Sequence, residues 1–200
     1  MKQEERSQET RSRILQAAER SFAERGYDIT SVDSICRAAE ISKGGFYHHF
    51  PSKGAVFAAL LDAWLARLDA GFLRAKEGHA RVPDQIAAMA ASIDGIYDLA
   101  GSSWNILLEV WAKARTDPAA QASTLTTLRR YQRFFAELLQ RGVDEGSLTV
   151  DDVELQARVL LSAVLGLLLQ GILEGGSADW GRETKRTVSF MMDSVVRRTR

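Results

Sequence analysis

The residues with the most distinctive chemistry lie close together in the segment 42–53, which reads SKGGFYHHFPSK. Lys43 and Lys53 are cations, and Tyr47 and His48 carry polar ring groups that can donate hydrogen bonds. These groups suit contact with phosphates and base edges. Two glycines follow Lys43, and each costs roughly 0.5–1 kcal/mol inside a helix, so their presence favours a surface that something approaches closely.

Two short helices joined by a tight turn are expected to position this segment. The first is predicted to begin at Thr30, because Asp33 three residues later resembles a capping box. The second begins after Ser42, a good N-cap residue, and Phe46 and Phe50, which lie four apart, face inward. This is the spacing of a helix-turn-helix, whose second helix enters the major groove of DNA.

The stretch from about residue 10 to 56 resembles the DNA-binding domain of the tetracycline-repressor-like (TetR) family of transcriptional regulators. The matching residues are Phe22, Gly26, Thr30, Val32, Ile35, Ala38-Ala39, Ser42-Lys43-Gly44, Phe46-Tyr47-His48-His49-Phe50 and Ser52-Lys53. The resemblance implies an all-α homodimer with an N-terminal helix-turn-helix domain and a variable C-terminal domain that binds a ligand.

Individual roles in binding a double-stranded DNA operator also follow from the resemblance. It implies that Tyr47 and Lys53 hold phosphates and that Thr30 and Ser42 cap helices at the DNA backbone. The candidates for contact with base edges are Lys43, Gly44, Gly45 and His48. Glu40 stands at a turn position where the family often has Gly, and a left-handed Glu40 would cost about 1 kcal/mol. Gly45 stands where a hydroxyl residue is frequent.

The charge balance limits how the chain can bind DNA. Lys plus Arg number 26 and Asp plus Glu number 26, so the formal net charge of the 200 residues is zero. Neutrality excludes a protein that coats nucleic acid by bulk charge. It leaves a small basic patch, which we expect a homodimer to double on a two-fold operator.

Several observations point to a cytoplasmic protein with no membrane span, cofactor or metal. Cys36 is the only cysteine, which excludes an intrachain disulfide and suits a reducing compartment. The segment 1–13 lacks the apolar region of a signal peptide. The apolar run 159–173 is shorter than the ~20 residues of a membrane helix. Adjacent residues such as His48 and His49 point about 100° apart on a helix and do not easily share an ion.

Helical spacing recurs along the chain and strand patterns are nearly absent, so we predict an all-α fold of about nine helices. The predicted domains are a helix-turn-helix domain over residues 1–53 and a ligand-binding and dimerisation domain over 54–200.

The middle of the chain is rich in large apolar side chains, and the resemblance implies that they enclose an effector pocket for a hydrophobic or aromatic small molecule. The candidate lining residues are Met89, Ile93, Trp104, Leu108, Trp111, Tyr131 and Phe135. The candidate polar anchors are Ser103, Asn105, Glu109 and Arg115. The alternative is that these side chains form an ordinary core.

Residues 151–198 predict two long amphipathic helices that form a four-helix interface with a second protomer. The first helix is apolar around most of its circumference and therefore needs covering on all sides. The candidate interface residues are Leu160, Val164, Leu168, Val188, Met191, Met192 and Val195. An intrachain core is the alternative.

The resulting hypothesis is a ligand-responsive transcriptional regulator, most often a repressor. A homodimer holds two recognition helices about one DNA turn apart, and a ligand that favours another separation releases the DNA. A transcriptional activator and a helical ligand-binding dimer that has lost DNA binding are the alternatives. An enzyme is not expected, because the chain has no P-loop, GxGxxG motif or Ser-His-Asp spacing.

Overall fold

A computed structural model describes residues 2–92, 104–174 and 179–196, with side chains for 4–92, 108–171, 173–174 and 179–196. This part of the chain contains nine helices and confirms the predicted all-α class. They are α1 (Lys2–Arg25), α2 (Val32–Ala38), α3 (Lys43–His49), α4 (Lys53–Glu77), α5 (Val82–Ser92), α6 (Trp104–Ala114), α7 (Pro118–Asp144), α8 (Val153–Leu173) and α9 (Trp180–Asp193). An antiparallel bridge joins Leu148 to Val196.

The chain divides into two compact units, and two of the boundaries fall inside α4 and α6. Unit 1 comprises Met1–Arg67 and Leu99–Ala112, and unit 2 comprises Leu68–Asp98 and Lys113–Arg200. Unit 1 therefore extends beyond the predicted boundary at residue 53. The physical reason is that the first turns of α4 bury apolar side chains in the core of unit 1.

The core of unit 1 is built around α1. Its apolar residues Ile14, Ala18 and Phe22 follow helical spacing and are fully or almost fully buried. Gly26 ends this helix in the left-handed conformation with φ 80°, and its N–H donates to the carbonyl of Phe22 at 2.9 Å. Gly26 is therefore the C-terminal cap residue of α1. Val110 of α6 is buried in the same cluster.

Unit 2 is organised by α7, α8 and α9, with α5 packed against α7 and α9. Phe72 and Phe134 stack with ring centroids 5.8 Å apart, and Phe135 meets Phe72 edge-on at 5.6 Å. Asp117 caps α7 by accepting hydrogen bonds from the N–H groups of the first turn, and Pro118 occupies its start.

The helix α8 is the one apolar helix in the described residues that is long enough to cross a membrane. Over Val153–Gly171 its mean hydropathy is 1.5, and only 17% of this stretch is buried inside the chain. One chain therefore leaves much of this helix uncovered, as the predicted interface with a second protomer would require. Both α7 and α9 pack against α8, and part of its apolar circumference stays open.

Candidate nucleic-acid interface

The helix α3 is held by its two phenylalanines. Phe46 is fully buried and Phe50 is 2% exposed, and both belong to the core of unit 1, as the four-residue spacing predicts. Ser42 is the N-cap residue, and its hydroxyl oxygen accepts a hydrogen bond from the N–H of Gly45 at 3.1 Å. The position and the rotation of α3 are therefore fixed from inside unit 1.

The opposite side of α3 faces solvent. Lys43 and Tyr47 form one row at i and i+4, and Gly44 and His48 form a second row beside it. All four residues are exposed, and Gly45 is half-buried. A Cβ atom added at Gly44 would meet only the hydroxyl oxygen of Ser42, at 3.8 Å. Because packing within the chain does not require glycine there, the small residue leaves room for something outside the chain.

The ammonium of Lys43 is paired within the helix-turn-helix. It lies 2.8 Å from the carboxylate of Asp33 in α2, and both side chains are more than half exposed, at 62% and 56%. The hydrogen bond and the charge of Asp33 raise the pKa of Lys43. An approaching phosphate therefore competes with a carboxylate for this cation, and exposed pairs of this kind are weak.

The structure corrects the predicted role of Thr30. The N-cap of α2 is Ser31, whose side chain forms a reciprocal capping box with Ser34. Thr30 is 1% exposed, and its hydroxyl donates to the carbonyls of Ser21 at 3.0 Å and Gly26 at 2.8 Å. It therefore ties the α1–α2 loop (residues 26–31) to the end of α1, and a residue so buried is not available to cap at a DNA backbone.

The side chain of Lys53 turns towards the same loop. Its ammonium donates to the carbonyls of Tyr27 at 2.6 Å, Thr30 at 2.9 Å and Asp28 at 3.4 Å. It also lies 4.1 Å from the centroid of the Tyr27 ring. The ammonium of Lys53, which the resemblance implies as a phosphate ligand, therefore donates to backbone carbonyls of unit 1 itself.

The turn between α2 and α3 contains backbone strain. Glu40 has φ 54°, so the left-handed conformation considered from the sequence is present. The N–H of Glu40 donates to the carbonyl of Arg37, and the N–H of Ile41 donates to that of Cys36. This is the Schellman arrangement, in which glycine is the usual residue at the left-handed position.

Two titratable groups beside α3 have shifted pKa values. Burial, with the nearby charges of His48 and Arg11, lowers the pKa of His49, so this half-buried ring is favoured in its neutral form. Burial, together with the charge of Asp33, raises the pKa of the Cys36 thiol. Among the described residues, no three His, Cys, Asp or Glu side chains are grouped to hold a metal ion.

The structure distributes the predicted pocket residues between the two units. Met89, Tyr131 and Phe135 are buried in unit 2, at 2%, 8% and 8% exposure. Leu108 lies in unit 1, and Trp111 packs against the core of that unit. Ile93 lies outside the described residues, as does the side chain of Trp104.

The predicted polar anchors are also separated. Glu109 accepts a hydrogen bond from the N–H of Tyr27 at 3.4 Å, within unit 1. Arg115 is exposed in unit 2. Ser103 and the side chain of Asn105 lie outside the described residues. A polar group that the sequence pattern did not indicate lies in unit 2, where Asp69 accepts two hydrogen bonds from Arg130 and one from Tyr131.

The predicted interface residues need a correction. Four of them are 3–6% exposed in the single chain and therefore belong to the core of unit 2: Leu160, Leu168, Val188 and Met192. The other three are half-buried: Val164, Met191 and Val195. The open apolar side chains are instead Leu155, Val159, Leu173 and Phe190, with Phe190 80% exposed. Phe190 could have been noticed as an aromatic residue on the polar side of α9.

The fold and this surface together define a helix-turn-helix protein with a helical second unit. Residues 14–60 match the family model for bacterial regulatory proteins of the tetR family. Residues 98–193 match the model for the C-terminal part of BetI-type transcriptional repressors. The two models together cover more than half of the chain. The chain belongs to the tetR family of ligand-responsive, DNA-binding transcriptional regulators.

Individual relatives cover most of the chain. The HTH-type transcriptional regulator UidR of Escherichia coli is 29% identical over 163 residues, which are 81% of this chain and 81% of UidR. The HTH-type transcriptional repressor KstR2 of Rhodococcus jostii is 29% identical over 191 residues, 93% of this chain and 91% of KstR2. A TetR transcription regulator from Haloarcula marismortui has the same fold, with TM-score 0.83, 19% identity and coverage of 94% and 98%.

Replacing the left-handed residue of the turn tests the strain at Glu40. Glu40→Gly should raise the free energy of unfolding by about 0.5–1 kcal/mol. Glycine removes the cost of a left-handed Glu side chain in the folded state, and this gain exceeds the stability lost because glycine raises the entropy of the unfolded chain. Arg37→Gly, three residues earlier in α2, is the control and should lower it by about 1 kcal/mol. Urea unfolding measures both. A Glu40→Gly protein no more stable than the parent would contradict the strain.

Proposed function

We propose that the chain is a non-enzymatic transcriptional repressor that binds a two-fold DNA operator as a homodimer and is released by a small-molecule effector. Its DNA-contacting surface is the solvent side of α3 with the N-cap of that helix: Ser42, Lys43, Gly44, Gly45, Tyr47 and His48. It acts in the cytoplasm, where bacterial DNA lies.

The observation that carries this proposal is the outer surface of α3. A cation, a phenol and an imidazole lie in adjacent rows on a helix whose other side is locked in the core. Packing within the chain would accept a larger residue than glycine at the position of Gly44. A helix fits the major groove of B-DNA when nothing bulky separates it from the base edges, and these side chains can then donate to phosphates and bases.

The proposed homodimer is supported by the open face of α8 and α9. Leu155, Val159 and Gly166 lie on one side of α8 at i, i+4 and i+11, and a Cβ atom at Gly166 would meet nothing within 4 Å. Phe190 adds an exposed ring from α9, which packs beside α8. Exposed apolar side chains on two packed helices of a regulator with a two-fold operator are best covered by the same helices of a second copy.

The residues that we propose to contact the effector are fewer than those predicted from the sequence. Tyr131 and Phe135 pack around Phe72 in unit 2, and Met89 is buried in the same unit. Large apolar groups of this kind suit a hydrophobic or aromatic molecule. Both α4 and α6 continue along the chain from one unit into the other, and they are the proposed route by which ligand binding alters DNA affinity. Repression agrees with the activity of the relative KstR2, which is a transcriptional repressor.

The charge pair at the start of α3 gives a test of DNA binding. Lys43→Ala should lower affinity for all duplexes and reduce the slope of log affinity against log salt by about 0.9 for each phosphate that the lysine neutralises. Asp33→Asn should raise affinity, because it removes the carboxylate that competes for Lys43. Fluorescence anisotropy on labelled duplexes at several salt concentrations measures both. Lys76→Ala, in the last turn of α4, is the control, and an equal response to it would contradict the proposed surface.

A second test addresses the homodimer. Val159→Asp and Phe190→Asp should convert the protein from a dimer to a monomer of 22.1 kDa in sedimentation velocity, because each places an unpaired charge in the covered surface. Both side chains are exposed in the single chain, so the fold tolerates the change. Leu125→Asp, at an exposed apolar position on α7, is the control and should stay dimeric. A parent chain that sediments as a monomer at micromolar concentration would contradict the proposal.

A further inference from the structure

We infer that the indole N–H of Trp180 donates a hydrogen bond to the effector, and that the effector is an aromatic or apolar molecule with a carbonyl-type acceptor. This inference rests on the effector site proposed in unit 2 and adds the polar contact that determines its specificity. Trp180 is the first residue of α9. Neither the family resemblance nor the spacing of apolar residues indicated it as a ligand contact.

The first argument is the unpaired indole N–H. Trp180 is only 9% exposed, and among the described residues its Nε1 is the one buried side-chain nitrogen or oxygen without a hydrogen-bond partner. Other buried polar side chains of unit 2 are paired: Thr184 donates to the carbonyl of Trp180 at 2.8 Å, and Gln85 donates to that of His79 at 2.7 Å. A buried donor without an acceptor is costly and rare in native proteins, so it calls for a functional explanation.

The second argument is the direction of α9 within unit 2. The N–H of Thr149 donates to the carbonyl of Val195 at 2.7 Å, just past the end of α9. Leu148, the preceding residue, lies close to Gly142, where an added Cβ atom would also be 3.1 Å from the side chain of Val82. Val82 is the first residue of α5, and α9 packs against α5. The end of α9 therefore lies near the start of α5, and the two helices run antiparallel.

Trp180, at the start of α9, consequently lies towards the last turn of α5. That turn contains Met89, and Ser92 is its last residue. The hydroxyl oxygen of Ser92 is 3.4 Å from the position of a Cβ atom at Gly71 in α4. Phe72, the next residue, is the ring around which the proposed effector contacts of α7 pack. The unpaired N–H thus belongs to the part of unit 2 that holds the proposed effector residues.

The chemistry of the indole defines the ligand class. Its N–H can donate a hydrogen bond but cannot accept one, so the effector must present an acceptor atom. A hydrogen bond made in apolar surroundings is stronger than one made in water. A ligand of the same shape without an acceptor would leave the donor unpaired, and the site would therefore discriminate against it.

The test uses three matched pairs of probes: acetophenone with ethylbenzene, fluorenone with fluorene, and benzophenone with diphenylmethane. The two members of each pair differ only in a carbonyl in place of a methylene. Isothermal titration calorimetry of the full chain measures their affinities. We expect the parent to bind a ketone about tenfold more tightly than its partner, because only the ketone pairs with the N–H.

Trp180→Phe keeps an aromatic ring and removes the donor. We expect it to lose the preference for the ketone while its affinity for the methylene compound stays the same. Trp64→Phe, in the part of α4 that belongs to unit 1, is the matched control and should keep the preference.

Nuclear magnetic resonance of the nitrogen-15-labelled parent gives a second measurement that does not depend on the stability of a variant. The assigned indole N–H proton of Trp180 should move downfield when the ketone is added, because it enters a hydrogen bond. The methylene compound should not move it downfield.

Two kinds of result would overturn the inference and leave the effector site in place. One is equal binding of both members of every pair by the parent. The other is a ketone preference that Trp180→Phe retains, or a bound ketone that leaves the Trp180 resonance unmoved. A parent that binds no member of any pair would instead overturn the proposed effector site in unit 2, and the role of Trp180 with it.

Discussion

Burial of Phe46 and Phe50 in the core of unit 1 decides which side of α3 reaches solvent. The helix has only seven residues, which is too short to be stable alone, so its existence and its rotation depend on these two rings. Aromatic side chains bury large areas and have few rotamers, which makes them firm anchors for a short helix. The chemistry of the outer rows follows from this one packing constraint.

Around that anchor, the polar groups of the helix-turn-helix satisfy one another. Ser42 caps α3, Thr30 and Lys53 hold the loop before α2, and Asp33 holds Lys43. The basic surface that α3 exposes is consequently small, in agreement with a formal net charge of zero for the whole chain. A single copy makes few phosphate contacts, which is why the proposed function depends on a second copy joined through α8 and α9.

The parts predictable from the sequence are those set by local periodicity. The inward phenylalanines, the cap at Ser42 and the all-α class depend on spacings of four residues or fewer. The partners of Lys53 lie more than twenty residues earlier in the chain, so no local pattern indicates them. Thr30 and Ser31 are adjacent hydroxyl residues, and only tertiary packing distinguishes the buried one from the cap. A helix as uniformly apolar as α8 has no pattern that tells which side its own chain covers.

The most direct measurement of the central claim is amide hydrogen exchange of the whole chain with and without the DNA duplex that it selects from a random pool. Backbone amides in residues 42–50 should be protected by the duplex, because α3 would lie in the major groove. Amides of α5 and α7 in unit 2 should exchange at nearly the same rates in both samples. Protection confined to unit 2, with α3 exchanging as it does in the free protein, would contradict the account.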